Sequence, residues 1–316
     1  MDIIAAVLTI AGLALFEIIS SIDNAVINAE VLTKMSDKAR YWFLRYGLIF
    51  AVFGIRLALP IGILWMANPS YSPVDLVFSA FSDDPKVGQA VEASAPLLLS
   101  AGGIFLVFLF FHWLFLEPKN FGLGGEKFFL KQGVWFYAVV SVLLAVITWF
   151  ALERDPMMAF AAVVGSTAFF IIHGFKQNAA EREKEMLEGK GSGEMSDWSK
   201  IFYLEAIDAT FSIDGVIGAF AYTMAIPLIL LGSGLGASVV REMTIRNIEE
   251  IKKYKYLKNG AMYSILFLGA VMLVDAFGFH VPAFATPIAT FVIIGYFFYL
   301  SKVEIGKEQQ GEKITT

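Results

Sequence analysis

Cysteine is absent from the 316 residues, and histidine occurs only three times. The first absence excludes disulfides, thiolate metal ligands and cysteine nucleophiles, while saying little about compartment. Charged residues make up 17% of the chain, against about 25% in ordinary soluble domains. Also lacking is the apolar and polar alternation of barrel strands. The apolar residues instead form continuous blocks of roughly 18 to 25, such as Ala95 to Leu116 and Val134 to Leu152. With hydrophobic residues at 57%, these absences leave one class, an all-α polytopic membrane protein. The formal net charge of -5 carries little information there, because the placement of Lys and Arg matters more than their sum. Met1-Asp2 runs into apolar sequence without a basic flank, so an uncleaved first span is expected and not a signal peptide.

Nine transmembrane helices are expected, at about 3–33, 41–67, 95–116, 134–152, 157–176, 200–225, 227–240, 259–277 and 283–301. Alternate connections then collect the positive charge. One set holds Lys34, Lys38 and Arg40, then Lys119, Lys127 and Lys131, then Lys176 to Lys200, Arg241 to Lys258, and finally Lys302, Lys307 and Lys313. The opposite set holds only Lys86 and Arg154. The positive-inside rule puts the protein in the cell membrane with its N-terminus outside and its C-terminus cytoplasmic. Residues 68–94 form the long outer loop, solvated and acidic. Residues 177–199 are charged and then Gly/Ser-rich, a short cytoplasmic helix followed by a flexible linker. This linker divides a first half, 1–176, from a second, 200–316.

Each half carries an acidic residue, three spacers and Ser-Ile-Asp: Glu17 to Ser21-Ile22-Asp23-Asn24, and Asp208 to Ser212-Ile213-Asp214-Gly215. The two copies lie in spans of opposite direction, which makes an inverted-topology repeat and places a substrate site near the midplane. Acids at that depth cost about 2.5–3.5 kcal/mol each, so Glu17, Asp23, Glu205, Asp208 and Asp214 together cost on the order of 12–17 kcal/mol. A bound cation, partner Arg or Lys groups, or protonation must offset that. On an ideal helix Glu17, Ser21 and Asn24 share a face while Asp23 falls about 120° away, and Asp208 and Asp214 are spaced alike. Both motif helices are therefore expected to be kinked or discontinuous near Ser-Ile-Asp, freeing carbonyls.

The candidate metal ligands are Glu17, Asp23, Asn24, Asp208 and Asp214, with Glu205, Ser21 and Ser212 beside them. All are oxygen donors, which suit hard divalent ions and argue against Zn²⁺ or Cu. The metal is thus expected as substrate, with no organic cofactor, no nucleic-acid partner and no enzymatic activity; protons are a candidate coupling ion. Arg56 is expected to pair with a motif carboxylate, and Arg45 to snorkel. His112 and His173 read as separate packing residues. Gly102-Gly103, Gly232, Gly234, Gly236 and Gly260 read as points of close helix approach. Two other readings stay open: an intramembrane hydrolase with an aspartate dyad, and a membrane scaffold of a stress-resistance complex that binds metal without moving it.

At these motifs the chain resembles the TerC-like integral membrane proteins, in the superfamily of lysine-exporter-type cation transporters, and most of all a branch described only as a domain of unknown function. The first family motif matches Glu17, Ser21, Asp23 and Asn24, with Ser20 in place of Leu. The second matches Glu205, Asp208, Phe211 and Asp214, with Ser212 for Ala and Gly215 for Ser. The stretches Arg45 to Arg56, Gly102 to Leu106, Tyr256 to Gly260 and Phe267 to Gly269 are also similar. The resemblance implies metal-ion homeostasis, notably manganese export, and a link to tellurium resistance. It makes Mn²⁺ the first candidate and Ca²⁺ the second.

Overall fold

The computed structural model describes residues 3–47, 50, 54, 56–67, 69–75, 85–118, 122–188, 196–246, 250 and 253–314. Among them there is no strand. The helices are α1 (Ile3–Ser20), α2 (Ile22–Thr33), α3 (Asp37–Trp42), a π-helical turn (Phe43–Gly47), α4 (Arg56–Ala67), α5 (Pro85–Leu116), α6 (Glu126–Leu130), α7 (Trp135–Arg154), α8 (Pro156–Glu188), α9 (Asp197–Ala219), α10 (Ile226–Arg246), α11 (Leu257–Ala276) and α12 (Ala285–Ile314). Seven described helices are long and apolar enough to cross a membrane: α1, α5, α7, α8, α10, α11 and α12. The chain is an all-α polytopic membrane protein. The other expected spans, 41–67 and 200–225, do not meet that composition. Within the first, residues 48–49, 51–53 and 55 lie outside the described part, and α9 carries Glu205, Asp208 and Asp214.

Burial separates centre from rim. The most apolar windows of α5 and α11 are 67% and 56% buried, those of α7 and α12 only 17% and 22%. α7 and α12 therefore turn Trp149, Phe150, Val292 and Tyr299 outward, as a lipid-facing surface requires. At the centre Gly103 of α5 meets Gly269 of α11; a Cβ on either would lie 3.0–3.1 Å from the other's carbonyl oxygen. α1 and α10 meet in the same way, with Gly232 against Leu13 and Gly236 against Ala14 and Glu17. Without a hydrophobic drive between helices in lipid, this backbone proximity supplies the dispersion contact that holds them.

Several boundaries differ from expectation. α5 begins ten residues before the expected 95, so the long outer loop is shorter, and residues 76–84 lie outside the described part. The charged segment after residue 176 is the continuation of α8 to Glu188, not a separate helix. Residues 189–195, the expected linker, are not described. The seventh span is a full helix of 21 residues. Matching Met-Ser-Asp sequences open α3 and α9: Ser36 and Ser196 each cap their own helix, and the Ser36 hydroxyl also donates to Asp197. Two caps are thereby joined across 161 residues of chain.

Candidate functional site

The first motif breaks as expected. α1 ends at Ser20, and Ser21, at φ -95° and ψ 0°, separates it from α2. Ser21 does not cap α2; its hydroxyl donates to Glu17 Oε1 at 3.0 Å. The backbone still bonds across the step, from Ser21 N to Glu17 O and from Ala25 N to Ser21 O, so the break does not free those two carbonyls, contrary to expectation. The second motif does not break. α9 runs uninterrupted from Asp197 to Ala219, and the Ser212 hydroxyl returns to the Asp208 carbonyl at 2.6 Å. The expected discontinuity there is corrected: one helix carries Glu205, Asp208 and Asp214, and its own four-residue spacing uses up the Ser212 donor.

Glu17 is 3% exposed and forms a buried ion pair with Arg56 of α4, as expected for Arg56. Arg45 stays outside, donating to Tyr41 at 3.0 Å. A Cβ at position 215 would lie 2.9 Å from Glu17 Oε2. Gly215 thus leaves the carboxylate the space that a side chain would take, and it brings the two motifs side by side.

Asp208 accepts from the amides of Asn24 and Asn28 on α2, the latter at 2.9 Å. Asn28 belongs with Glu17, Ser21 and Asn24 on one face by its spacing, a signal the motif alone did not include. These groups line a cavity of about 40 Å³ with Arg56 and Arg241, space for a water or a bare ion. With their amide nitrogens turned to Asp208, Asn24 and Asn28 leave buried Oδ1 atoms without a hydrogen-bond partner among the described residues. Glu205, one helical turn earlier, is 7% exposed, and neither of its oxygens has such a partner. Its Oε1 lies against Gly47, where Arg241 also approaches. Arg241 of α10 donates to Phe43 O at 3.1 Å and sits 4.6 Å from the centre of the Phe43 ring.

Asp214 points elsewhere. It forms an ion pair with Lys176 of α8 and faces a second cavity of about 560 Å³. There His112 and His173, expected to be separate, have ring centroids 3.7 Å apart, and His173 stacks on Phe169. The pairing is between α5 and α8, which sequence spacing within one helix could not indicate. Asp23 lies on α2, and its side chain is outside the described part.

Among the described residues no group of three or more His, Asp or Glu side chains is placed to hold a metal. The acids instead alternate with amides and cations: Glu17 with Arg56, Asp208 with Asn24 and Asn28, Asp214 with Lys176. Lys176 and Arg241, which the charge count assigned to a solvated end, are the bases that sequence reading missed.

The sequence matches the family described as Protein of unknown function (DUF475) over residues 22–308. The chain belongs to that family. Its matched region takes in Asp23 to Asn28, Arg56, Lys176 and the whole second motif. This DUF475 chain is also 28% identical over 115 residues to the uncharacterized membrane protein YceF of Bacillus subtilis (strain 168). That match spans 35% of the DUF475 chain and 45% of YceF. No solved structure matches.

Proposed function

We propose that the protein carries a divalent cation across the cell membrane, Mn²⁺ first and Ca²⁺ second, outward by alternating access of the halves 1–176 and 200–316. The reading rests on one observation above all: in the small cavity at Asp208, already held by amides, the buried Oδ1 atoms of Asn24 and Asn28 have no hydrogen-bond partner among the described residues, nor have the carboxyl oxygens of Glu205 one helical turn away. Burying polar oxygens without partners is costly unless something fills the vacancy, and hard oxygen donors select hard cations. Charge supports a divalent ion. Glu17, Glu205, Asp208 and Asp214 set against Arg56, Arg241 and Lys176 leave one net negative charge, and Asp23 makes two. One divalent cation balances them. The resemblance to TerC-like proteins points the same way, as does the membrane setting of the relative. The N-terminus is assigned to the outside and the C-terminus to the cytoplasm by the Lys and Arg distribution, and protons are the proposed coupling ion.

Uptake of Mn²⁺ into proteoliposomes tests this directly, with and without an imposed pH gradient. Wild-type protein should move Mn²⁺ saturably, and Asp208→Asn and Asp214→Asn should abolish flux while remaining folded. Full flux in both variants removes the carboxylate site, and flux indifferent to the pH gradient removes the proton coupling.

A further inference from the structure

The motif acids differ in what neutralises them. Glu17 is held by a guanidinium, planar and pre-organised, with Ser21 as a second donor. Asp208 is held by two amides from one helix face. Asp214 alone of these three is held by an ammonium, a compact charge on a flexible four-carbon stem. The pair is largely buried, with side chains 12% and 14% exposed, yet it faces the larger cavity, and the buried Asp214 Oδ1 has no hydrogen-bond partner among the described residues.

We infer that Lys176 is a tethered stand-in for the transported cation: its ammonium occupies the cation position at Asp214 and leaves when a hard cation enters the 560 Å³ cavity. The inference rests on the transport reading and adds to it a competitor built into the chain. The cavity supplies both halves of the exchange. Asp214, with one oxygen unpartnered, receives the ion. His173, on the same face of α8 one turn before Lys176, has a buried Nε2 without a hydrogen-bond partner among the described residues, and it lines the cavity beside His112. That nitrogen is a candidate acceptor on the wall of the same cavity for a displaced ammonium. Exchange keeps a positive charge at Asp214 throughout, so the carboxylate is never left buried alone, the state that costs most. A resident ammonium also raises the concentration at which a cation binds, since the ion must displace a tethered rival.

The experiment uses full-length protein in nanodiscs and Mn²⁺ as probe. Lysines are acetylated briefly with acetic anhydride and quantified by peptide mass spectrometry, with the exposed Lys253 as internal reference. Mn²⁺ at a concentration that saturates binding by calorimetry should raise Lys176 acetylation several-fold. In Asp214→Asn, Lys176 should react at the higher rate without Mn²⁺ and ignore its addition. Lys176→Gln should bind Mn²⁺ about tenfold more tightly, a gain of about 1.4 kcal/mol. Saturable Mn²⁺ binding with unchanged or slower Lys176 acetylation overturns the stand-in role and leaves the transport reading untouched. Absence of saturable Mn²⁺ binding overturns both. Should Lys176→Gln not fold, the acetylation of wild-type protein decides alone.

Discussion

Replacing Arg56 by Met tests whether the buried acids are held as the structure places them. Arg56 is 7% exposed and Glu17 3%, so the change leaves a carboxylate in a site of low dielectric with only the 3.0 Å hydrogen bond from Ser21. Breaking a buried pair by removing one partner costs about 3–5 kcal/mol, while the surviving neutral hydrogen bond contributes only about 0.5–1.5 kcal/mol. Arg56→Met should therefore lose about 3–5 kcal/mol. Glu17→Gln, which removes the carboxylate facing the guanidinium, should lose a comparable amount. The double variant removes both charges, so its loss should fall short of the sum of the two single losses by about 2–3 kcal/mol. The assay is reversible denaturation of the purified protein in mixed micelles, followed by tryptophan fluorescence, for wild type, both single variants and the double. Single losses that add to within about 0.5 kcal/mol in the double would refute the pairing, because independent sites have no reason to rescue one another.

The Asn28→Leu variant removes one of two amides on Asp208 and should destabilise by about 1–3 kcal/mol; in the flux assay it should weaken Mn²⁺ transport, and unchanged apparent affinity would exclude Asn28 from the site. Gly165→Ala puts a Cβ 2.7–2.8 Å from the backbone C and Cα of Ala101, so α5 and α8 must part, at a cost of about 1–3 kcal/mol read as a lower melting temperature. Ser36→Ala removes the cap of α3, worth about 0.5–2 kcal/mol, and also the donor to Asp197. The Ser36 hydroxyl holds the Asp197 carboxyl below its ordinary value of 3.8. That contribution is present above the ordinary carboxylate range and fades as pH falls through the lowered value, so the gap between wild type and Ser36→Ala should narrow on acidification. A gap constant from neutral pH to below 3.8 would assign the whole effect to the cap.

The sequence carried the class and the membrane setting because both follow from run length and composition. It carried the interruption at Ser21 because Glu17 and Asp23 cannot share a straight helical face. The same spacing argument failed for α9, whose acids serve two separate cavities. Asp208 faces one and Asp214 the other, so the 120° that seemed to demand unwinding is used as it stands. Arg56 could be anticipated from its depth in a span. Lys176 and Arg241 could not, because each ends an apolar stretch where a charge ordinarily meets water, and only the crossing of α8 and α10 with α9 turns them inward.

That division of α9 bears on how a duplicated motif can work. Had all the acids gathered in one shell, their mutual repulsion would demand a bound cation at every moment, and the empty carrier could not return. Here the partners come from four other elements: Arg56 from α4, Lys176 from α8, Arg241 from α10, and the amides of Asn24 and Asn28 from α2. Glu17, Asp208 and Asp214 each have a neutral or cationic neighbour that does not depend on cargo. A carrier reading then requires at least one of those neighbours to give way. The Glu17 carboxylate that holds Arg56 takes a second hydrogen bond from Ser21, and Asp208 is held by two amides from one helix face. The Lys176 ammonium has both a flexible stem and open volume beside it, and on a carrier reading α8 against α9 would be the contact where cargo and conformation meet.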